Sequence, residues 1–288
     1  MSAITTLIPK AVIFDAYGTL FDVHSVIAAA EQMFPGHGAA LSQLWRQKQI
    51  EYTQLRTLAD PAGAHYRPFW DITLDALRFA AKKLQLTLGR SAEKRLMDEY
   101  ACLSAFPDAV PALRLLREAS LPAPGTSGVA GAPGVANTPG AAQVTAATSG
   151  AAPRARLAIL SNGNPQMLDI AVKSAGMTGL FDHVLSVDAV RAYKPSPAAY
   201  SLATQTFDAP PREIVFVSSN GWDVAGATWF GFTTFWLNRQ HAPVEELGVV
   251  PHGAGASMND LLAFLKNPAS PGRSSGSGNG RTRHSPGA

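Results

Sequence analysis

Five short apolar runs, alternating with helical patterns, are the feature of this sequence that most restricts its fold. The runs are rich in Val, Ile, Leu and Phe and cover residues 11–14, 157–160, 184–187, 214–217 and 233–237. Each is typical of a strand buried on both faces. Helical patterns lie between the later runs, at 165–175 and 197–207. This alternation is typical of βαβ units, so the sequence predicts an α/β protein with a parallel five-stranded sheet.

A long interval between the first and second runs breaks this rhythm. It contains segments of helical periodicity at 26–34, 41–58, 69–84 and 92–103. We interpret residues 24–105 as a helical cap inserted after the first strand. Residues 1–23 and 106–266 then form the core domain.

Two further segments differ from the rest in composition. Residues 121–154 consist mainly of Ala, Gly, Pro, Ser and Thr, and residues 267–288 are rich in Ser, Gly and Arg. Both have too little apolar bulk to offset the entropy lost on ordering. We expect a flexible insertion at 121–154 and a disordered tail at 267–288.

Charge and cysteine content exclude several classes of partner. The 24 basic and 21 acidic residues give a net charge of +3, and the excess comes from three arginines in the tail. The folded body is therefore near neutral, and we expect no nucleic-acid partner. A single cysteine, Cys102, is insufficient for an internal disulfide or a structural zinc site, and the seven histidines show no recurring metal-ligand spacing.

Membrane and export signals are also missing from the sequence. No stretch approaches the roughly 18 uninterrupted apolar residues of a spanning helix, and the first ten residues do not resemble a secretory signal. We therefore expect a soluble protein of a reducing cytoplasm with no membrane partner.

Polar side chains gather where the predicted strands end. Asp15 follows the first strand, Ser161 and Asn162 the second, Lys194 the third, and the segment from Ser218 to Asp223 the fourth. In open parallel sheets, ligands bind at the carboxyl ends of the strands, so these residues predict a site. From its position alone, Asp15 is equally suited to attack a ligand or to cap the turn that follows.

The motifs at these strand ends resemble those of a known family. The runs VIFDAYGTLFD, LSNGN, YKPSPAAY and FVSSNGWD occur in this order and look like the haloacid dehalogenase superfamily, and within it the L-2-haloacid dehalogenases. The resemblance implies a Rossmann-like core with a cap. It also implies hydrolysis of short-chain L-2-haloalkanoic acids to D-2-hydroxy acids, with inversion at the α-carbon. No cofactor or metal is implied, and the protein is expected to form a homodimer.

The resemblance assigns roles to individual residues. Asp15 is the nucleophile that forms an ester with the substrate. Lys194 keeps it ionised, Arg46 receives the halide, and Asp223 activates or positions water. The other catalytic residues implied are Thr19, Ser161, Tyr200, Ser218 and Asn220. The substrate-binding residues implied are Tyr17, Gln47, Ile50, Phe69, Asn162 and Trp222.

Arg46 lies in the predicted cap rather than in the sheet. On the helix over 41–58, the apolar stripe expected to face inward consists of Leu41, Trp45, Tyr52 and Leu55. Arg46 and Ile50 are four residues apart on its flank and therefore overhang the cleft. The alternative for Arg46 is an ordinary surface arginine. The alternative to a catalytic role for Asp223 is an ordinary carboxylate in the first turn of a helix, stabilised by the helix dipole.

Two other functions compete with the dehalogenase. A magnesium-dependent phosphatase of the same superfamily carries a second Asp two positions after the nucleophile and another in the last motif. Those positions are Tyr17 and Ser219 in this sequence, which argues against phosphoryl transfer. A relative that only binds a small acid is the second alternative, but such a protein has no need of a nucleophile beside a lysine.

Overall fold

A six-stranded parallel sheet forms the centre of the protein. The computed structural model describes residues 9–60, 62–118 and 156–266. Within them the strands are β1 (Ala11–Phe14), β2 (Leu157–Ser161), β3 (His183–Ser186), β4 (Ile214–Ser218), β5 (Thr233–Leu237) and β6 (Gly253–Gly255). Their order is β3-β2-β1-β4-β5-β6. Strands β2 and β3 lie on one side of β1, and β4 to β6 lie on the other, so the order of the strands reverses beside β1.

The predicted α/β fold and its five strands are confirmed, but the strand count is corrected to six. The added strand β6 pairs with β5 through Phe235 and Gly253, Trp236 and Ala254, and Leu237 and Gly255. Its sequence, Gly-Ala-Gly, has no apolar run that could signal a strand. The expectation that each run is buried on both faces is wrong for β3, where Val184 is 44% exposed because β3 lies at the edge of the sheet.

Helices cover both faces of this sheet. The helices that follow β1 are α1 (Ile27–Met33), α2 (Gly38–Ala59), α3 (Phe69–Lys83), α4 (Arg90–Ala101) and α5 (Ala109–Glu118). The later helices are α6 (Pro165–Ser174), α7 (Pro197–Phe207), α8 (Gly221–Phe230) and α9 (Met258–Lys266). Within the described ranges, no helix is both long enough and apolar enough to span a bilayer.

Alternation along β1 explains how the core divides into two layers. Val12 and Phe14 belong to the cluster that includes buried residues of α5, α6 and α9. Ala11 and Ile13 belong to the second cluster, with residues of α7 and α8. Successive side chains of a strand point to opposite faces, so a fully apolar strand is buried between two helical layers.

Four helices, α1 to α4, occupy the interval where the sequence predicts a helical cap. The division into a cap over 24–105 and a core of 1–23 and 106–266 stays a prediction. The flexible insertion at 121–154 and the disordered tail at 267–288 both lie outside the described residues.

The buried face of α2 differs from the predicted one. Leu41, Trp45, Gln49 and Thr53 are buried, whereas Leu55 is 54% exposed and Tyr52 is only partly buried. The real stripe advances by four residues, in keeping with the helical repeat of 3.6. It contains two polar side chains that an apolar pattern does not select.

Direct contacts join α2, and the segment between α2 and α3, to the segment that follows β3. The Tyr66 hydroxyl donates to Asp188 Oδ1 at 2.6 Å, and the Tyr66 ring stacks on Tyr193 with centroids 5.0 Å apart. The backbone N–H of Tyr193 donates to Thr57 Oγ1 at 3.0 Å. Lys194 follows Tyr193 directly, so these contacts fix the strand-end segment that carries Lys194.

Candidate active site

The polar strand-end residues converge at the carboxyl edge of the sheet. Asp15 follows β1, Ser161 ends β2, and Ser218 ends β4. Asp223 lies in the first turn of α8, directly after β4. The site therefore surrounds β1, where the order of the strands reverses and parallel sheets bind ligands.

Lys194 joins two buried carboxylates. Its Nζ donates to Asp15 Oδ1 at 2.7 Å, to Asp223 Oδ2 at 2.6 Å and to the Leu160 carbonyl at 3.2 Å. The exposed fractions of the side chains are 1% for Lys194, 7% for Asp15 and 0% for Asp223. We call these three residues the ion triad. Its three charges lie in a region from which water is nearly excluded.

Opposing effects set the pKa values in the ion triad. Burial acts to lower the pKa of Lys194, but the charges of Asp15 and Asp223 outweigh it and hold the pKa above its ordinary value. Lys194 is therefore cationic at neutral pH. Burial raises the pKa of Asp223, and the negative charge of Asp15 adds to this, while Lys194 opposes both. Asp223 is thus more basic than an exposed carboxylate.

Both oxygens of Asp15 are held in place. Oδ1 accepts from Lys194, and Oδ2 accepts from Thr19 Oγ1 and from Asn220 Nδ2, each at 2.8 Å. Thr19 Oγ1 in turn accepts from the backbone N–H of Ser219 at 2.8 Å. Ser218 Oγ accepts from the backbone N–H of Asn220 at 3.1 Å. Four residues near the ends of β1 and β4 therefore fix the plane of the Asp15 carboxylate.

Tyr200, on α7, fixes the second carboxylate. Its hydroxyl donates to Asp223 Oδ1 at 2.8 Å. Burial and the neighbouring Asp223 raise the pKa of Tyr200 well above its ordinary value, so the hydroxyl keeps its proton and acts as a donor. A Cβ on Gly226 would lie 2.8 Å from this hydroxyl and 2.5 Å from Pro195 Cβ, so α7 reaches Asp223 only because residue 226 is glycine.

Arg46 extends from α2 to residues that follow β1 and β4. Its Nη2 donates to the Tyr17 carbonyl at 3.0 Å and to Asn220 Oδ1 at 3.2 Å. Its Nη1 donates to Gln49 Oε1 at 2.7 Å. Since Asn220 also donates to Asp15, a single amide connects the guanidinium to the carboxylate. Arg46 is therefore part of the site and not a free surface cation.

A narrow cavity, with about 270 Å³ of empty space, opens onto Asp15. Its lining consists of Asp15, Tyr17, Arg46, Ile50, Thr53, Phe69, Ser161, Asn162 and Trp222. The ring of Tyr17 lies 5.4 Å from that of Phe69 and stacks on Tyr100 at 5.9 Å, measured between centroids. These aromatic walls exclude water from the space above Asp15.

Two polar residues at the end of β2 also line the cavity. Ser161 Oγ accepts from the backbone N–H of Gly163 at 3.0 Å, and Asn162 Oδ1 accepts from the backbone N–H of Lys194 at 3.0 Å. Among the described residues, the Tyr17 hydroxyl and Trp222 Nε1 are buried and have no hydrogen-bond partner. Both belong to residues that line the cavity, so both are available to a ligand.

The ion triad, the hydrogen-bond network around it and the cavity together include every predicted site residue except Gln47. Gln47 is exposed and does not line the cavity. It follows Arg46 by one residue, which rotates its side chain by about 100° around the helix and out of the cleft. The predicted placement of Gln47 in the apolar pocket is therefore wrong.

Sequence reasoning missed three residues that the structure places at or near the cavity. They are Gln49, Thr53 and Tyr100. Gln49 and Thr53 continue the four-residue spacing of Leu41 and Trp45, which is a usable signal. Tyr100 lies on α4, and no spacing in the sequence relates it to the strand-end motifs.

The arrangement suits attack by a carboxylate on a small anion. Asp15 is desolvated and fixed, Arg46 and Lys194 supply positive charge on two sides, and apolar walls exclude water. Within residues 9–60, 62–118 and 156–266, no group of three or more His, Cys, Asp or Glu side chains is placed to hold a metal ion.

Comparison with known proteins agrees with this chemistry. A family model described as a haloacid dehalogenase-like hydrolase matches residues 128–231. The (S)-2-haloacid dehalogenase of Pseudomonas sp. (strain YL) is 39% identical over 260 residues, which cover 90% of this chain and 96% of the relative.

Solved structures show the same likeness. The crystal structure of an L-2-haloacid dehalogenase is 58% identical, with a TM-score of 0.76, and the match covers 89% of this chain and 98% of that one. The L-2-haloacid dehalogenase from Xanthobacter autotrophicus with chloropropionic acid covalently bound is 33% identical, with a TM-score of 0.72 and coverage of 91% and 100%.

Proposed function

Because this chain belongs to the (S)-2-haloacid dehalogenases, a family of haloacid dehalogenase-like hydrolases, we propose that it converts short-chain L-2-haloalkanoic acids to D-2-hydroxy acids. The reaction passes through an ester on Asp15 and inverts the α-carbon once. The observation that carries this proposal is the fixed Asp15 carboxylate, which accepts from Lys194 and borders a cavity lined by Arg46 and by aromatic side chains.

In the first step Asp15 attacks the α-carbon of the substrate. A bond forms between a carboxylate oxygen and this carbon as the carbon–halogen bond breaks, and the halide leaves with the bonding electrons. Arg46 faces the halide and stabilises the charge that develops on it in the transition state. Asn162 also lines the cavity and faces the departing halide, which needs no proton to leave.

The substrate is held by two kinds of contact. Ser161 and the backbone N–H groups near Asn162 bind its carboxylate, as expected where the N-terminus of a helix, here α6, follows a strand. Tyr17, Ile50, Phe69 and Trp222 surround its alkyl group, since all four line the cavity. The small size of the cavity supports short-chain substrates.

In the second step water attacks the ester carbonyl of Asp15. The tetrahedral intermediate then collapses as the bond between the carbonyl carbon and the ester oxygen breaks, and the hydroxy acid leaves with that oxygen and takes up a proton. Asp223 accepts the proton or positions the water, since Lys194 and Tyr200 hold its carboxylate in place beside Asp15. Lys194, Thr19 and Asn220 already donate to the carboxyl oxygens of Asp15, so they are placed to stabilise the tetrahedral oxyanion. Tyr200 and Ser218 hold Asp223 and Asn220 in place.

The residue two positions after Asp15 argues against the phosphatase alternative. A general acid there must give up a proton to the leaving group. Burial raises the pKa of Tyr17 well above its ordinary value, and the nearby Tyr100 adds to this, so Tyr17 is a poor proton donor at neutral pH. A site that only binds a small acid does not account for a carboxylate held at both oxygens.

Three further expectations remain proposals. The cap over 24–105 and the core of 1–23 and 106–266 are proposed as the two domains. A homodimer and a cytoplasmic location are expected by resemblance to the family.

The first experiment measures halide release from L- and D-2-chloropropionate, with and without a chelator. We expect release from the L-enantiomer only, unaffected by the chelator, with D-lactate as product by chiral chromatography. Asp15→Ala is the matched control and should release none. Hydrolysis of phosphate esters that depends on a divalent ion, without halide release, would contradict the proposal.

A second experiment tests the ester. Water attacks the Asp15 carbonyl, so a single turnover in ¹⁸O-labelled water should place the label in the peptide that carries Asp15. Label in the hydroxy acid alone would rule out the ester route.

A further inference from the structure

A network of buried hydrogen bonds among α2, α3 and α4 surrounds Gln49. Gln49 Oε1 accepts from Arg46 Nη1 at 2.7 Å and from the Tyr100 hydroxyl at 2.9 Å. Gln49 Nε2 donates to Thr73 Oγ1 at 2.7 Å, and Thr73 Oγ1 donates to the Phe69 carbonyl at 2.7 Å. The network joins α2, α3 and α4.

Burial and donor chemistry leave Gln49 a single orientation. Gln49 and Thr73 are fully buried, and Tyr100 is 2% exposed. A guanidinium only donates, so the amide oxygen of Gln49 must face Arg46 and its NH₂ group must face Thr73. Burial raises the pKa of Tyr100, which therefore keeps its proton and donates to the same oxygen. A buried network in which each member has a partner is rigid.

This network determines which N–H groups of Arg46 face the cavity. Arg46 has five N–H groups. Among the described residues, one Nη1–H is taken by Gln49, and the two Nη2–H groups by Tyr17 and Asn220. Nε–H and the second Nη1–H are left for a ligand. Of these three acceptors, only Gln49 lies on α2, the helix that carries Arg46. Gln49 therefore sets the rotation of the guanidinium relative to α2.

We propose that Gln49 is a positioning residue that aims Arg46 at the departing halide. This rests on the proposed function, since Arg46 acts there as the halide receptor. Without the Gln49 acceptor, Nη1 loses its partner on α2, and the guanidinium is held only through Nη2 by Tyr17 and Asn220, so its Nη1 and Nε edge turns away from the halide. The developing charge on the leaving atom then loses its counter-charge, whereas binding of the substrate carboxylate near Ser161 is unaffected.

The dependence of the rate on the leaving group distinguishes a positioning role of Gln49 from a purely structural one. Chloride is a poorer leaving group than iodide, so the transition state for a chloro acid is later and places more charge on the halogen. A misplaced Arg46 therefore slows the chloro substrate more than the iodo substrate. A mutation that only lowers the amount of folded enzyme slows both by the same factor.

The test is Gln49→Met, which keeps the length of the side chain and removes its polar end. We expect kcat/KM for L-2-chloropropionate to fall by roughly 10²-fold, the size of effect seen when a catalytic group moves by about 1 Å. The ratio of kcat/KM for L-2-chloropropionate to that for L-2-iodopropionate should fall at least about tenfold, with the loss for the chloro acid mainly in kcat. Both substrates are measured on one preparation, so the ratio does not depend on the folded fraction.

Gln43→Met is the matched control, since Gln43 lies on α2 but is exposed. It should keep the wild-type ratio. If Gln49→Met gives no folded protein, Thr73→Val makes the same test from the other end of the amide and should lower the ratio less strongly.

An unchanged ratio in Gln49→Met, or in Thr73→Val where that variant replaces it, would overturn the positioning role. Failure of the proposed function has a different signature, namely no halide release by the wild type from either substrate, and that result would overturn both proposals.

Discussion

Replacing Lys194 by methionine should turn the ion triad into two adjacent buried carboxylates with no cation between them. Both carboxylates lie within 2.7 Å of Lys194 Nζ and are almost fully buried. Removing one partner of a buried ion pair leaves an uncompensated charge and costs about 3–5 kcal/mol. Since a domain is stable by only about 5–15 kcal/mol, the variant is expected to remain folded with a much smaller margin.

The loss of unfolding free energy in Lys194→Met should depend on pH, and the direction of this dependence identifies the unpaired carboxylates as its cause. The raised pKa of Lys194 contributes stability that is complete below the unfolded value of about 10.4 and is lost as the pH rises through the higher folded value. The raised pKa of Asp223 acts against stability at pH values above its unfolded pKa.

Without Lys194, the pKa of Asp223 rises further, and the folded variant binds a proton that the unfolded chain has released. Between about pH 5 and pH 7, the difference in unfolding free energy between wild type and variant should widen by up to about 1.4 kcal/mol per pH unit.

Urea denaturation followed by tryptophan fluorescence at a series of pH values measures this slope. Lys173→Met is the matched control, because Lys173 also pairs with a carboxylate, Asp169, but both side chains are more than half exposed. Its expected cost is below about 1 kcal/mol, with no change in pH dependence. A Lys194→Met variant whose loss is the same at all pH values, or no larger than that of Lys173→Met, would refute the reasoning.

Two other substitutions test separate parts of the site. Asp223→Asn removes the proposed base for ester hydrolysis. The variant should release a burst of halide equal to the enzyme concentration and accumulate an Asp15 adduct, which intact-mass spectrometry detects. Steady turnover at the wild-type rate would contradict this expectation. Gly163→Ala places a Cβ 2.7 Å from Tyr17 Cε2 and should move this ring, lowering kcat/KM about tenfold or more. Gly89→Ala, where an added Cβ has no neighbour within 4 Å, should leave kcat/KM unchanged.

The strands that could be predicted from the sequence are those that are buried along their whole length and therefore consist of apolar residues. The central strands β1 and β4 are buried at every position, so continuous apolar runs identify them. Strand β6 consists of Gly253 to Gly255 and is stabilised by pairing with β5, which is a non-local contact. No window of sequence around Gly253 carries that information.

The site follows the same division. Asp15, Ser161 and Asp223 could be predicted because the carboxyl end of a strand is a local property and parallel strands bring such ends together. Which residues of α2 reach the site depends on how this helix is rotated about its axis. A pattern based on apolar residues favoured Tyr52 and Leu55, whereas the actual interior stripe passes through polar residues. Gln47 and Gln49 are two residues apart with the same side chain, and only the rotation of α2 decides which of them meets Arg46.

The charge balance of the ion triad connects the two proposed steps. Before reaction, Asp15 and Asp223 are both buried around one lysine, and the negative charge of Asp15 is one of the causes that raise the pKa of Asp223. Alkylation converts Asp15 to a neutral ester and removes that cause, so the pKa of Asp223 falls while Lys194 remains beside it. Asp223 is therefore held in its ionised form at the step where a base is required. Lys194, which pairs with both carboxylates before reaction, thus becomes the counter-ion of Asp223 alone, and the first step itself prepares the second.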